Sequence, residues 1–186
     1  LYITLEMPED QIWARIAANT MDRPMWEIQT VDADTAKRGI SESAIGSDGK
    51  HFGNLIVYWM RPGSTVNDIE NAIDSLEDKY KSKFDMVAVD YIMLLAPNPG
   101  TMSKFDKSYE RGVLCTRQFR TMCILRDKAG MSAVQVTREG MAAGAVDTQN
   151  VSTSLMHNVA GSMGYVTDSD VLLYIQADRM LKQCNA

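Results

Sequence analysis

From Met86 onward the stretch Phe84–Leu95, FDMVAVDYIMLL, is apolar up to one carboxylate, Asp90, and largely apolar again beyond it. It is too short to cross a bilayer. Met86, Val87, Ala88 and Val89 suit a parallel strand covered by helices on both faces. Asp90 then falls at or just past the carboxyl end of that strand, where open α/β sheets bind their ligands. A carboxylate there can hold magnesium, directly or through water, since that ion prefers oxygen ligands and keeps much of its hydration. It can equally be a strand-end Asp that satisfies backbone donors.

The flanking sequence fills in a strand, helix, strand unit. Asn54–Met60 (NLIVYWM) is expected to be a strand closed by Arg61, Pro62 and Gly63. Val66, Ile69, Ile73, Leu76 and Tyr80 then recur in steps of three and four, which predicts a helix over Thr65–Lys81 capped by Ser64 or Thr65. Such a unit is a right-handed parallel crossover, so the sheet is at least partly parallel.

Upstream, Leu1–Glu6 (LYITLE) has the pattern of the end of a strand. Pro8 with Glu9 and Asp10 marks a helix start, with Ile12, Trp13, Ile16, Ala17 and Met21 along one face. Short helices are expected around Met25–Gln29 and Asp34–Ile45. Downstream, a loop at Ala96–Thr101 leads to a long helix over Lys104–Lys128 whose core face includes Cys115, Phe119, Met122 and Cys123. Its arginines, Arg111, Arg117, Arg120 and Arg126, are expected on solvated faces. Met131–Thr137 reads as a further strand ending at Arg138, residues 139–152 as a mobile loop, Ser154–Val159 as a short helix, and Val171–Ile175 as a last strand.

Composition narrows the function classes. The 186 residues suffice for one well-buried domain, and 45% hydrophobic with 23% charged residues is ordinary for a globular chain. A net charge of −5 excludes a surface that is basic throughout, so any nucleic-acid contact must be local. Cys115, Cys123 and Cys184 make no disulfide framework and point to a reducing compartment. His51 and His157 have no zinc-like spacing to cysteines or carboxylates. The expected reducing compartment is the cytoplasm, and since the first residues carry no secretory signal and no initiator Met, the chain is expected to begin inside a longer one.

Three strands carry a polar residue where the apolar run meets its carboxyl end: Glu6, Asp90, and Gln135 with Arg138. Hydrolysis of a nucleoside triphosphate needs such a set. One carboxylate orients or deprotonates water, another holds magnesium, and an amide can sense the γ-phosphate.

LEMP at Leu5–Pro8, VAVDYIMLL at Val87–Leu95 and AVQVTR at Ala133–Arg138 resemble, in order and spacing, the second half of the motor domain of DnaB-type replicative helicases, the T-even phage branch in particular. LIVYWMRPG and SDVLLYI add to the likeness, which covers nearly the whole chain. It implies an α/β fold with a RecA-like core, a mostly parallel sheet flanked by helices on both faces, here an incomplete single domain over residues 1–186. It also implies ATP or another NTP with Mg2+ as cofactors, a homo-oligomeric ring of six subunits, single-stranded DNA as partner, and primase and a helicase loader as further partners.

Residue by residue, Glu6 matches the catalytic glutamate, Asp90 the magnesium aspartate acting through water, and Gln135 the glutamine coupling the γ-phosphate to the DNA loop. Arg138 matches a following basic residue, and 154–161 the lumen loop that grips DNA, with His157, Asn158 and Gly161 as contacts. The acidic residue usual in that loop is replaced near His157 and Asn158, which puts side-chain contacts in doubt while backbone contacts through 158–161 stay open.

No GxxxxGK[ST] phosphate loop occurs; Gly49 and Lys50 are followed by His51. In the family that loop lies upstream of LEMP, so the 186 residues are expected to be a fragment that by itself neither binds nor hydrolyses ATP usefully. Arg179 and Lys182 are weak candidates for the arginine finger and its lysine. Two other readings fit the residues: a RecA- or KaiC-like recombination ATPase, which would share Glu6 and Asp90, and a non-catalytic interaction module that keeps the fold. Filaments with strand exchange would mark the first, and an encoding frame without a glycine-rich loop upstream the second.

Overall fold

The computed structural model describes residues 1–43, 53–101, 108–134 and 168–173. Its elements in chain order are β1 (Tyr2–Thr4), α1 (Glu9–Thr20), α2 (Met25–Ile28), α3 (Ala33–Ser43), β2 (Val57–Trp59), α4 (Val66–Tyr80), β3 (Met86–Asp90), a 3-10 turn (Ile92–Leu94), α5 (Ser108–Leu125) and β4 (Ala129–Ser132). The four strands form one sheet in the order β2-β1-β3-β4, and all three pairings are parallel. Among the described residues no helix is long and apolar enough to cross a membrane.

Alternation along the strands sorts the two faces. Ile3, Leu5, Val87 and Val89 share one buried cluster with Ile69, Ile73 and Leu76 of α4 and Cys115, Phe119, Met122 and Cys123 of α5. This is the face α4 and α5 cover. The opposite phase carries Tyr2, Thr4, Ala88 and Asp90, in register with Val57 and Trp59. On that side α1 packs against β2, and Ile12, Ala17, Ile28 and Val57 are buried outside the main cluster. Helices therefore flank both faces, as an apolar parallel strand requires.

The caps explain where α4 starts and stops. Thr65 accepts from the Asp68 amide while Asp68 accepts from the Thr65 amide, a reciprocal capping box. Lys81 then takes a left-handed backbone that ends the helix.

Several boundaries differ from the sequence reading. The second strand is Val57–Trp59, shorter than Asn54–Met60, because the register with the three-residue β1 spans only these residues, with Ile56 and Met60 supplying the flanking hydrogen bonds. The apolar run from Met86 divides: the strand ends at Asp90, and Ile92 and Leu95 reach the core from the 3-10 turn. β4 begins at Ala129, two residues before Met131, and the described strand ends at Ser132. Asp127 adopts a left-handed backbone that stops α5, and the Ala129 amide already donates to the Asp85 carbonyl, so pairing starts at once. Residues 129 and 130, Ala and Gly, carry too little apolar signal to announce a strand. Gly130 is held close: a Cβ there would meet Cys123 Sγ at 2.7 Å and Phe119 Cε1 at 3.0 Å.

One expectation fails on the described residues and another is refined. Val171–Leu173 form no strand and are exposed. These residues find no ladder partner among the described strands. Of the arginines on and just after α5, Arg111 and Arg117 are exposed as expected, and three of the four also pair with acids. Arg117 pairs with Asp168, Arg120 with Asp170, and Arg126 with Glu70 and Asp74 on α4. Acids on neighbouring segments face them, which a single helix's periodicity does not show. The expected loop at 139–152, the helix at 154–159, and His51, Cys184, Arg179 and Lys182 lie outside the described residues.

Candidate functional site

The connections leaving β1 and β3 run to opposite sides of the sheet. From β1 the chain goes by α1–α3 to β2, whereas from β3 it goes by α5 to β4. Between two such strands the loops diverge and leave a crevice beyond the carboxyl ends, the usual ligand site of an open α/β sheet. Glu6 and Asp90 stand at this divergence. In the register Thr4 lies opposite Asp90, and Glu6 follows Thr4 by two residues.

Glu6 is exposed and sits in a turn that is clamped on both flanks. The Leu5 amide donates to the Asp90 carbonyl at 2.9 Å, and the Met60 amide to the Thr4 carbonyl at 3.0 Å. The fully buried Thr4 hydroxyl donates to the Met7 carbonyl at 2.6 Å and accepts from the Met7 amide at 3.2 Å. The backbone is thereby fixed on either side of Glu6. Its carboxylate makes no side-chain hydrogen bond among the described residues, as an acceptor for a water proton should be.

Asp90 is held quite differently. It is partly buried, and Tyr2 Oη donates to its Oδ2 at 2.6 Å. Burial first, and then the bond to Asp90, push the Tyr2 phenol above its ordinary range, while the charge of Arg15 on α1 works in the opposite direction. Tyr2 thus stays a donor. The Asp90–Tyr91 peptide is cis, and the turn it opens is tied to β4: Ser132 Oγ donates to the Val89 carbonyl at 2.7 Å and accepts from the Ile92 amide at 3.0 Å. Among the described residues one carboxylate has no side-chain partner and the other is braced.

No protein-family model and no curated protein matches the sequence. Solved structures do. A DnaB-like replicative helicase, described with its interactions with primase, superposes with a TM-score of 0.62 at 17% identity, over 91% of this chain and 38% of that one. A second structure, solved as an ATPase domain, gives 0.63 at 17% identity, over 91% of this chain and 56% of that one. The fold is that of helicase ATPase domains. The chain spans less than two thirds of either structure's length, and at this identity the likeness is one of fold.

The structure thus brings together two of the sequence-predicted residues, Glu6 and Asp90. Gln135, Arg138, His157, Asn158 and Gly161 lie outside the described residues. Among the described residues no cluster of three or more His, Cys, Asp or Glu could hold a metal ion by itself. Tyr2, Thr4 and Ser132 were not singled out from the sequence. Alternation did place Tyr2 and Thr4 on one face, but their partners lie 88 residues away for Tyr2 and in the following turn for Thr4.

Proposed function

We propose that the chain is part of the motor domain of a replicative DNA helicase, whose full-length protein hydrolyses nucleoside triphosphate at the subunit interfaces of a ring to move along single-stranded DNA. What carries the reading is the contrast between the two carboxylates at the β1/β3 divergence, one unengaged and one braced. In-line attack by water on a γ-phosphate needs a base that can reach the water and a separate fixed carboxylate for the metal.

Glu6 accepts the water proton from its clamped turn. Asp90 would hold magnesium through a coordinated water, with its orientation set by Tyr2. The bound ion would neutralise charge building on the phosphate oxygens. Gln135, beyond β4, is assigned to sensing the γ-phosphate and passing its presence on toward the DNA loop. Arg138, His157, Asn158 and Gly161 are assigned to the DNA backbone. A ring of six subunits, with primase and a loader as partners, belongs to the same reading; the similar replicative helicase is itself described with primase.

The test is single-turnover ATP hydrolysis by the full-length protein and its Glu6→Gln variant, with and without single-stranded DNA. The parent is expected to be stimulated by DNA. The variant should bind nucleotide and turn over at least about 100-fold more slowly, the usual worth of a positioned base. Undiminished turnover in Glu6→Gln, or a parent that does not hydrolyse ATP, overturns the reading.

A further inference from the structure

Four observations single out Tyr2. Its phenol reaches Asp90 Oδ2 at 2.6 Å across the β1/β3 ladder. The register sets Tyr2 opposite Ala88, so this contact is the diagonal one that a long side chain can span over a small neighbour. Thr4, directly opposite Asp90, uses its hydroxyl on Met7 at 2.6 Å and has turned away from the carboxylate. Among the described residues Tyr2 is accordingly the side-chain donor to Asp90, and Oδ1 is the oxygen left over.

We propose that Tyr2 is a positioning residue for the metal site: its hydroxyl fixes the Asp90 carboxylate so that one oxygen is committed to the protein and the other to the metal's water shell. The inference rests on the function proposed above and extends it to a residue that touches neither nucleotide nor metal. A partner that orients a metal-holding carboxylate commonly changes metal affinity by about tenfold or more when removed. The sheet needs only the ring at this position, whereas the carboxylate needs the hydroxyl. Tyr2→Phe separates the two.

The experiment titrates Mn2+ into the full-length protein in the presence of ADP, reading free Mn2+ by electron paramagnetic resonance, for the parent, Tyr2→Phe and Asp90→Asn. Tyr2→Phe is expected to weaken Mn2+ binding about tenfold and to raise the KM for Mg2+ in ATP hydrolysis, with kcat at saturating Mg2+ within about twofold and an unchanged thermal midpoint. Replacing Tyr2 by 4-aminophenylalanine, which keeps a donor at the ring's end, should restore the affinity. If Asp90→Asn loses Mn2+ binding while Tyr2→Phe keeps it, the Tyr2 inference falls and the functional reading stands. Failure of the amino analogue to restore binding also removes the hydrogen bond as the cause. If Asp90→Asn or the parent shows no Asp90-dependent Mn2+ binding, both fall together.

Discussion

Replacing Lys128 by methionine tests what holds the far end of the sheet in register. Lys128 Nζ donates to Glu77 Oε1 at 2.6 Å and to the Phe84 carbonyl at 2.7 Å, and both charged side chains are only 6% exposed. Glu77 also accepts from Lys83 at 2.7 Å and from the Phe84 amide at 3.0 Å. One carboxylate thus joins the last turn of α4, the entry to β3 and the entry to β4. Removing one partner of a buried pair costs about 3–5 kcal/mol. Lys83 and the Phe84 amide remain in the variant, so about 3 kcal/mol is expected.

Titration gives a second route to the magnitude. Burial pushes the Glu77 carboxyl up, but the bonds from Lys128, Lys83 and Phe84 together outweigh it and bring it from 4.5 to about 2. A carboxyl lowered on folding adds stability that is complete above its unfolded value and is lost as pH falls from about 4.5 through about 2. At 1.36 kcal/mol per pH unit the three donors together, net of burial, contribute about 3 kcal/mol, of which Lys128 supplies a part.

Urea unfolding of parent and Lys128→Met, followed by tryptophan fluorescence, should show a gap of about 3 kcal/mol at pH 7 that is smaller at pH 3, where part of the Glu77 contribution has been lost. The thermal midpoint should drop by about 6–12 °C for a chain of this size. Adding Glu77→Gln, whose amide oxygen still accepts from Phe84, should recover at least about half of the loss, because no unpaired buried charge is left. A loss under about 1 kcal/mol at pH 7, or a gap of constant size at both pH values, refutes the reasoning.

Two further outcomes are expected. Thr4→Val keeps the shape but removes both bonds to Met7, so it should cost about 1–2 kcal/mol in urea unfolding and, in the full-length protein, lower kcat for ATP with little change in KM, because the turn carrying Glu6 loosens; an unchanged kcat would detach that turn from the chemistry. Arg138→Ala, and separately Asn158→Ala, should weaken single-stranded DNA binding, with Arg138→Ala reducing its salt dependence by about one phosphate contact, as measured by fluorescence anisotropy across a salt series; identical binding at every salt would remove Arg138 from the DNA surface.

Much of the architecture was legible in local pattern. The three-and-four spacing of Val66 to Tyr80 specified α4 and narrowed its cap to Ser64 or Thr65; the structure uses Thr65, in a reciprocal box with Asp68. The aliphatic run before Asp90 specified a parallel strand with both faces covered. Cys115, Phe119, Met122 and Cys123 fell on the buried side as their periodicity required. Boundaries were less legible where pairing, and not hydrophobicity, sets them: Val57–Trp59 is a strand only as far as β1 accompanies it, and Ala129–Gly130 is one because Asp85 meets it.

By itself the sequence determined the repeat of strand and helix, the buried stripe of each helix, and the presence of carboxylates just where β1 and β3 run out. These are properties of residues a few positions apart, and short-range sterics and hydrophobic spacing encode them. Tertiary structure alone decided that β1 lies between β2 and β3, and that the connections diverge between Glu6 and Asp90. It also decided that Asp90 is braced by a phenol 88 residues away while Glu6 has no side-chain partner among the described residues. Strand order and cross-strand partners depend on contacts between distant segments, and no local pattern in a single chain carries that information.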